Sequence, residues 1–176
     1  ADNPDDRWLG HIHFDALPRE FNPARGYVAS ANQRIVGPEF QPPLYGAYSQ
    51  GHRGVRIDEV FAAHPKAGRA ETITLQNDVR SARATRMVPH VLALLATSDS
   101  ADARLVAGLL AGWNGDYTQD STAATMFETL MFHWQAAVLA LHLPQRLLAL
   151  AQQQTGLAMT LLERPDIAYF PEGTAA

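Results

Sequence analysis

Residues 120–143 read DSTAATMFETLMFHWQAAVLALHL, and their apolar positions recur at helical rather than strand spacing. Phe127, Leu130, Met131, Trp134, Val138 and Leu141 fall on one stripe of a helical period, which predicts a long amphipathic helix through Leu143. Asp120 or Ser121 is placed to accept from the free N–H groups of its first turn. Downstream, Pro144 suits the first turn of a last helix reaching about Glu163, and Pro165 halts it.

Working back from this stretch, the same period persists. Leu105, Val106, Leu109, Leu110 and Trp113 form a second stripe, with Asp99 or Ser100 as its N-cap. Met87, Val88, Val91, Leu92 and Leu95 form a third, and Pro89 either opens that helix or kinks a longer one from about Thr72. Ile57, Val60, Phe61 and His64 form a fourth, ended by Pro65. Before residue 50 the pattern changes. Residues 8–14 alternate, with Trp8, Gly10, Ile12 and Phe14 on one side and Leu9, His11 and His13 on the other. Residues 26–32 (GYVASAN) read as a second strand, entered from the turn-like residues 22–25, and Pro38, Pro42 and Pro43 make 37–50 a loop. The expected fold class is mainly α with a small N-terminal β portion. The expected division is a strand and loop segment over 1–50 and a helical subdomain over 51–176 that folds unaided. Two strands make no stable sheet alone, so the front third reads as part of a larger sheet.

Composition narrows the function. The 176 residues are 47% hydrophobic and 18% charged, enough apolar content for a real core. A net charge of −4 argues against a nucleic-acid partner. The basic residues are nearly all Arg, with Lys66 the only lysine, a skew that points to base composition and to no ligand. There is no cysteine, so disulfides and thiolate–metal sites are excluded. No apolar run approaches the ~20 residues of a membrane helix, and no signal peptide opens the chain, so a soluble protein without a membrane partner is expected. There is no P-loop, dinucleotide fingerprint, HExxH or GxSxG. His11 and His13 share a face of the expected strand, but no third ligand has a motif-like spacing to them, and a half-exposed strand pair is expected. Asp116 and Asp120 in WNGDYTQDS lack the glycine and distal Glu of a calcium-binding EF-hand loop, which leaves capping and turn duties. Taken singly, Asn32 reads as a turn former and Arg53 as a solvated charge opening a helix.

Several passages together say more. Residues 10–37, GHIHFDALPREFNPARGYVASANQRIVG, resemble the penicillin acylase pattern IPFD-LPR---NP--G-I--ANN. Residues 75–95, LQNDVRSARATRMVPHVLALL, and 109–128, LLAGWNGDYTQDSTAATMFE, are similar to that family's LQ-DV-S-----VP-LL and W-GDY--DS-AAT-(Y/F)E segments. Between them HRGVRIDEVF, residues 52–61, resembles its R--RI--LL helix start. The resemblance covers nearly the whole chain, in order. It implies a fragment of an α+β, four-layer αββα N-terminal nucleophile hydrolase fold. It implies a parent enzyme that cleaves N-acyl amides and resides in the periplasm.

In that family a Ser freed at a chain terminus attacks the amide while its own α-amine acts as base. The oxyanion is held by a backbone N–H and by the side-chain amide of an Asn, to which Asn32 corresponds. A supporting Arg follows about twenty residues later and corresponds to Arg53, whose charge would lower the pKa of the terminal amine. The departures matter as much. Ala1 is not Ser, so the nucleophile is expected outside this chain, and the isolated chain is expected to be inactive. Gln33 stands where the family's second Asn would. Some members bind calcium through an Asp in the following loop, but Leu44 occupies that place. No cofactor is therefore expected, calcium remaining open only for the intact enzyme. Expected partners are the rest of the parent acylase (α chain and remaining β chain) and a small N-acyl amide. The rival reading is a non-catalytic helical interaction module derived from the same family.

Overall fold

The computed structural model describes residues 10–151 and 155–167. The chain divides into two compact units, Ala1–Gly68 and Arg69–Ala176. Among the described residues there are seven α-helices, one 3-10 turn and no strand. This corrects the expected β portion and the α+β four-layer fragment: among the described residues every regular element is helical, and 17–51 is loop and turn. Of residues 8–14, Trp8 and Leu9 lie outside the described residues. Phe14–Ala16 is a 3-10 turn, in which Asp15 N donates to Nδ1 of His13 at 3.3 Å. Residues 26–32 are not in a strand, and the only pairing there is one isolated parallel bridge from Gln33 to Ser49. The reason is local. A period-two pattern makes a strand only where a ladder supplies hydrogen bonds, and here side chains take that place. Arg25 Nε donates to the Tyr27 carbonyl at 2.9 Å, and Ser49 Oγ donates to that of Ala31 at 2.9 Å.

The described residues of the first unit contain one α-helix, α1 (His52–Ala63). Tyr27 packs against it, with its ring 5.0 Å from that of Phe61 and its hydroxyl donating to Asp58 Oδ1 at 2.8 Å.

The second unit holds α2 (Arg69–Gln76), α3 (Ala82–Leu95), α4 (Ala101–Leu110), α5 (Thr122–Ala140), α6 (Gln145–Ala151) and α7 (Thr155–Glu163). Serines start three of them. Ser81 Oγ accepts from Ala84 N, Ser100 Oγ from Asp102 N and Ser121 Oγ from Ala124 N, each at 3.2 Å. The Ser81 cap explains why α3 opens ahead of Pro89 and is not continuous with α2. The core joins Ala84, Met87, Val88 and Val91 of α3 to Leu110, Phe127, Met131, Met159 and Leu162. Full burial of Phe127 alone is favourable by about 1.5–3 kcal/mol. A smaller cluster gathers Val138, Ala158 and Leu161, with Trp134 Nε1 donating to the Ala158 carbonyl at 2.8 Å. Leu139 is buried and Leu141 39% exposed, so the inward face of α5 sits slightly round from the expected stripe. On α4, Leu105 points outward and Leu110 is buried. No helix among the described residues is long and apolar enough to cross a membrane.

Two of the resembling motifs meet inside this unit. Residues 79–81 and 115–117 pair through Tyr117 N to the Val79 carbonyl and Ser81 N to the Gly115 carbonyl, both at 2.9 Å. Arg80 Nε donates to Asp116 Oδ1 at 2.9 Å. That guanidinium, with help from the Asn114 amide, holds the Asp116 carboxyl below the usual carboxylate range. Tyr117 and Arg83 both donate to Glu128 of α5. These motifs therefore staple α3 and α5 together, and the turn duty of Asp116 is explicit.

Candidate functional site

Asn32 and Arg53 are 21 positions apart and lie in hydrogen-bond contact within the first unit. Arg53 belongs to the first turn of α1, which begins after Gly51 in the left-handed conformation at φ 81°. A residue other than Gly would be strained there, and this sharp entry brings the first turn of α1 against the 31–33 turn. Asn32 is itself left-handed, at φ 65°. Asn tolerates that conformation better than most residues, so the turn-former reading of this position is satisfied by its backbone.

The side chains add a second layer. Arg53 Nη2 donates to Asn32 Oδ1 and also to the Ala31 carbonyl, the latter at 3.1 Å. A guanidinium has only donors, so the amide atom facing it must be the oxygen. The other end of the amide, Nδ2, is thereby turned away from Arg53 with both hydrogens still to give. Asn32 is exposed, so these donors are accessible. The Asn32 carbonyl accepts from Ser49 N at 2.7 Å, which holds the turn from its other side. The Arg53 guanidinium facing Oδ1 polarises the amide, and the N-terminal end of α1 adds to the same field. The arrangement is a fixed, polarised N–H donor pair in a positive environment, suited to hydrogen-bonding an anionic oxygen.

The surrounding residues complete the turn. Ala31 is buried, its carbonyl taking both Ser49 Oγ and Arg53, and its N–H donating to Gln33 Oε1 at 2.5 Å. Ser49 and Gln33 were not legible as site residues. Ser49 has no motif around it, and Gln33 stands out only as a departure from a resembling pattern. Leu44, in the place of the calcium-binding Asp, offers only a backbone carbonyl, which accepts from Tyr48 Oη at 3.4 Å. No group of three His, Cys, Asp or Glu side chains converges among the described residues.

Comparison with known proteins agrees with the motifs. The family model described as Penicillin amidase matches residues 1–174, and the chain belongs to that family. It is similar to the penicillin acylase 2 proenzyme of Pseudomonas sp. (strain SE83), with 27% identity over 126 residues. That alignment covers 68% of this chain and 15% of the relative, so the chain spans a small part of the relative's length.

Proposed function

We propose that this chain is the part of an N-acyl amide hydrolase that carries the side-chain half of the oxyanion site. In this reading Asn32 Nδ2 donates to the oxygen that becomes negative as an amide carbonyl is attacked. Arg53 is the residue that turns the Asn32 amide and polarises it. The attacking terminal Ser hydroxyl, its α-amine base and a backbone N–H donor come from the rest of the parent acylase. The substrate is a small N-acyl amide. What carries the reading is the Arg53 contact to Oδ1, which commits Nδ2 to donation.

A contact that strengthens only as charge develops lowers the barrier without tightening ground-state binding. The test exploits the backbone of Asn32. At φ 65° Gly retains the turn without strain, so Asn32→Gly removes the amide and little else. In the processed parent enzyme, kcat should fall about 10²–10³-fold with KM nearly unchanged. Asn32→Asp should be at least as damaging, since a negative charge replaces the donor. Retention of more than about a tenth of kcat by correctly processed Asn32→Gly would concede under ~1.4 kcal/mol to the contact and end this assignment.

A further inference from the structure

We propose that Gln33 is a positioning residue for Asn32, and that Gly54 is glycine so that the Gln33 amide can sit against α1. The proposal rests on the oxyanion reading of Asn32. It concerns a side chain to which no role has been given.

Consider what fixes the Ala31 peptide groups. On the carbonyl side, Ser49 Oγ and Arg53 Nη2 converge on one oxygen at 2.9 and 3.1 Å. The Ala31 N–H, by contrast, has one acceptor, Gln33 Oε1, two residues ahead. This bond closes the chain over Asn32. It spans the left-handed residue and ties the groups on either side of it. Left-handed backbone costs a non-Gly residue free energy and persists only where its neighbours hold it. Gln33 supplies that hold from one side, and Arg53 with Ser49 from the other.

The Gln33 side chain needs room to reach back, and α1 provides it. A Cβ on Gly54 would lie 3.0 Å from Gln33 Nε2 and 3.1 Å from its Cδ, closer than ordinary van der Waals contact. A Cβ on Gly51 would lie 3.5 Å from Gln33 Cβ, which is ordinary contact. Gly54 is buried beneath the Gln33 amide, one residue after Arg53. Glycine inside a helix is otherwise unfavourable by roughly 1 kcal/mol relative to Ala, so its presence calls for a packing reason. Gln33 is that reason. The long amide in place of the family's shorter Asn and the glycine on the facing helix form a complementary pair.

The experiment uses the intact, processed parent enzyme, with active-site titration to count functional molecules. Gln33→Leu keeps the bulk and removes the acceptor. It should lower kcat about 10- to 100-fold, the scale of a misplaced catalytic group, with KM changed less than about threefold. In an Asn32→Gly background the same change should cost nothing further, because the group being positioned is gone. Gly54→Ala should lower kcat in the same direction while leaving the melting temperature level or higher, since Ala favours the helix. In a Gln33→Ala background, where space is free, Gly54→Ala should have no further effect on kcat. A merely structural Gln33 would lower the titrated fraction and the melting temperature but leave kcat per active site unchanged. If Asn32→Gly loses kcat while Gln33→Leu and Gly54→Ala both stay within about twofold of wild type, the positioning role fails and the oxyanion reading stands. If Asn32→Gly itself retains kcat, both fall. Should Gln33→Leu not mature, the Gly54→Ala arm decides alone.

Discussion

The two compact units hold themselves together by different physics. In Arg69–Ala176, Phe127, Met87, Leu110, Leu161, Val91 and Val138 are fully buried, and ion pairs such as Arg86–Glu163 tie one helix to another. Among the described residues of Ala1–Gly68, Ala31 is the one buried hydrophobic residue, while Phe14, Phe21 and Tyr45 are 70%, 89% and 88% exposed. Its order comes from polar side chains: Arg25 bonds to the Tyr27 backbone, Gln33, Ser49 and Arg53 to that of Ala31, and Arg53 also to the Asn32 side chain. Each such bond is worth about 1 kcal/mol net, against several for a large buried side chain. The candidate site lies on the weakly cored unit. Substitutions there should therefore speak mainly through kcat, and those in the helical unit mainly through stability.

The sharpest way to break this contrast is a matched pair of phenylalanines. Phe127→Ala empties a fully buried position and should destabilise the chain by about 3–5 kcal/mol. Phe21→Ala, at 89% exposure, should stay within about 0.5 kcal/mol. Urea unfolding followed by circular dichroism measures both. Similar costs for the two would mean that the first unit has a core of its own.

Next in size is local opening. Amides in residues 88–95 and 127–138 sit in helices packed by the core, whereas those in 27–32 have no ladder. Native-state hydrogen exchange should be at least about 100-fold slower in the helices than in 27–32. Equal protection would sink the idea that polar contacts alone order the site turn, unless dilution showed self-association.

How far this division was legible depends on which force shapes each part. A helix advertises itself, because its buried face repeats at a fixed period and its first N–H groups call for a Ser such as Ser100 or Ser121. The α5 stripe was readable for that reason, though the burial of Leu139 rather than Leu141 depends on where the neighbouring helices lie. Residues 8–14 and 26–32 show why alternation misleads. A strand is defined by its neighbours, and among the described residues Tyr27 finds Asp58 and Phe61 of α1 instead. The pairing of Asn32 with Arg53 had no local signal and came only through a resemblance. Gln33 and Ser49 were hidden for a related cause: they act on backbone groups, which every residue possesses.

A smaller effect separates the units by their helix starts. Ser121 caps α5 with its side chain, whereas Gly51 begins α1 with no such bond. Ser121→Ala should lower stability by about 1 kcal/mol and leave kcat of the parent enzyme untouched, the mirror image of Asn32→Gly. Thermal melts and steady-state kinetics on one preparation make the comparison. A loss of kcat at full folding would tie the helical unit to catalysis and blur the division.

The smallest expected effect uses pH to probe the staple within the helical unit. Tyr117 is half-buried, and its hydroxyl donates to Glu128, which Arg83 also engages. Burial, reinforced by the Glu128 carboxylate, pushes the Tyr117 hydroxyl from 10.0 up to about 12. An ionised phenol would lose its donor and face a like charge, so the folded chain favours the neutral form. In the unfolded chain the same group ionises near its ordinary value. The folded state therefore holds the proton through a window in which the unfolded state has released it, and stability falls as pH rises there. The contribution is fully present below pH 10 and is lost by about pH 12. A shift of that size in a fully buried group would be worth about 2.7 kcal/mol, and partial exposure reduces it to below about 1 kcal/mol. The informative quantity is a difference between two chains that share every other ionisable group. The stability gap between wild type and Tyr117→Phe should be constant up to pH 10 and shift against wild type as pH approaches 12. A gap that stays flat across this range would mean that Glu128 engages Arg83 alone, and that the W-N-G-D-Y turn is held to α5 without its tyrosine.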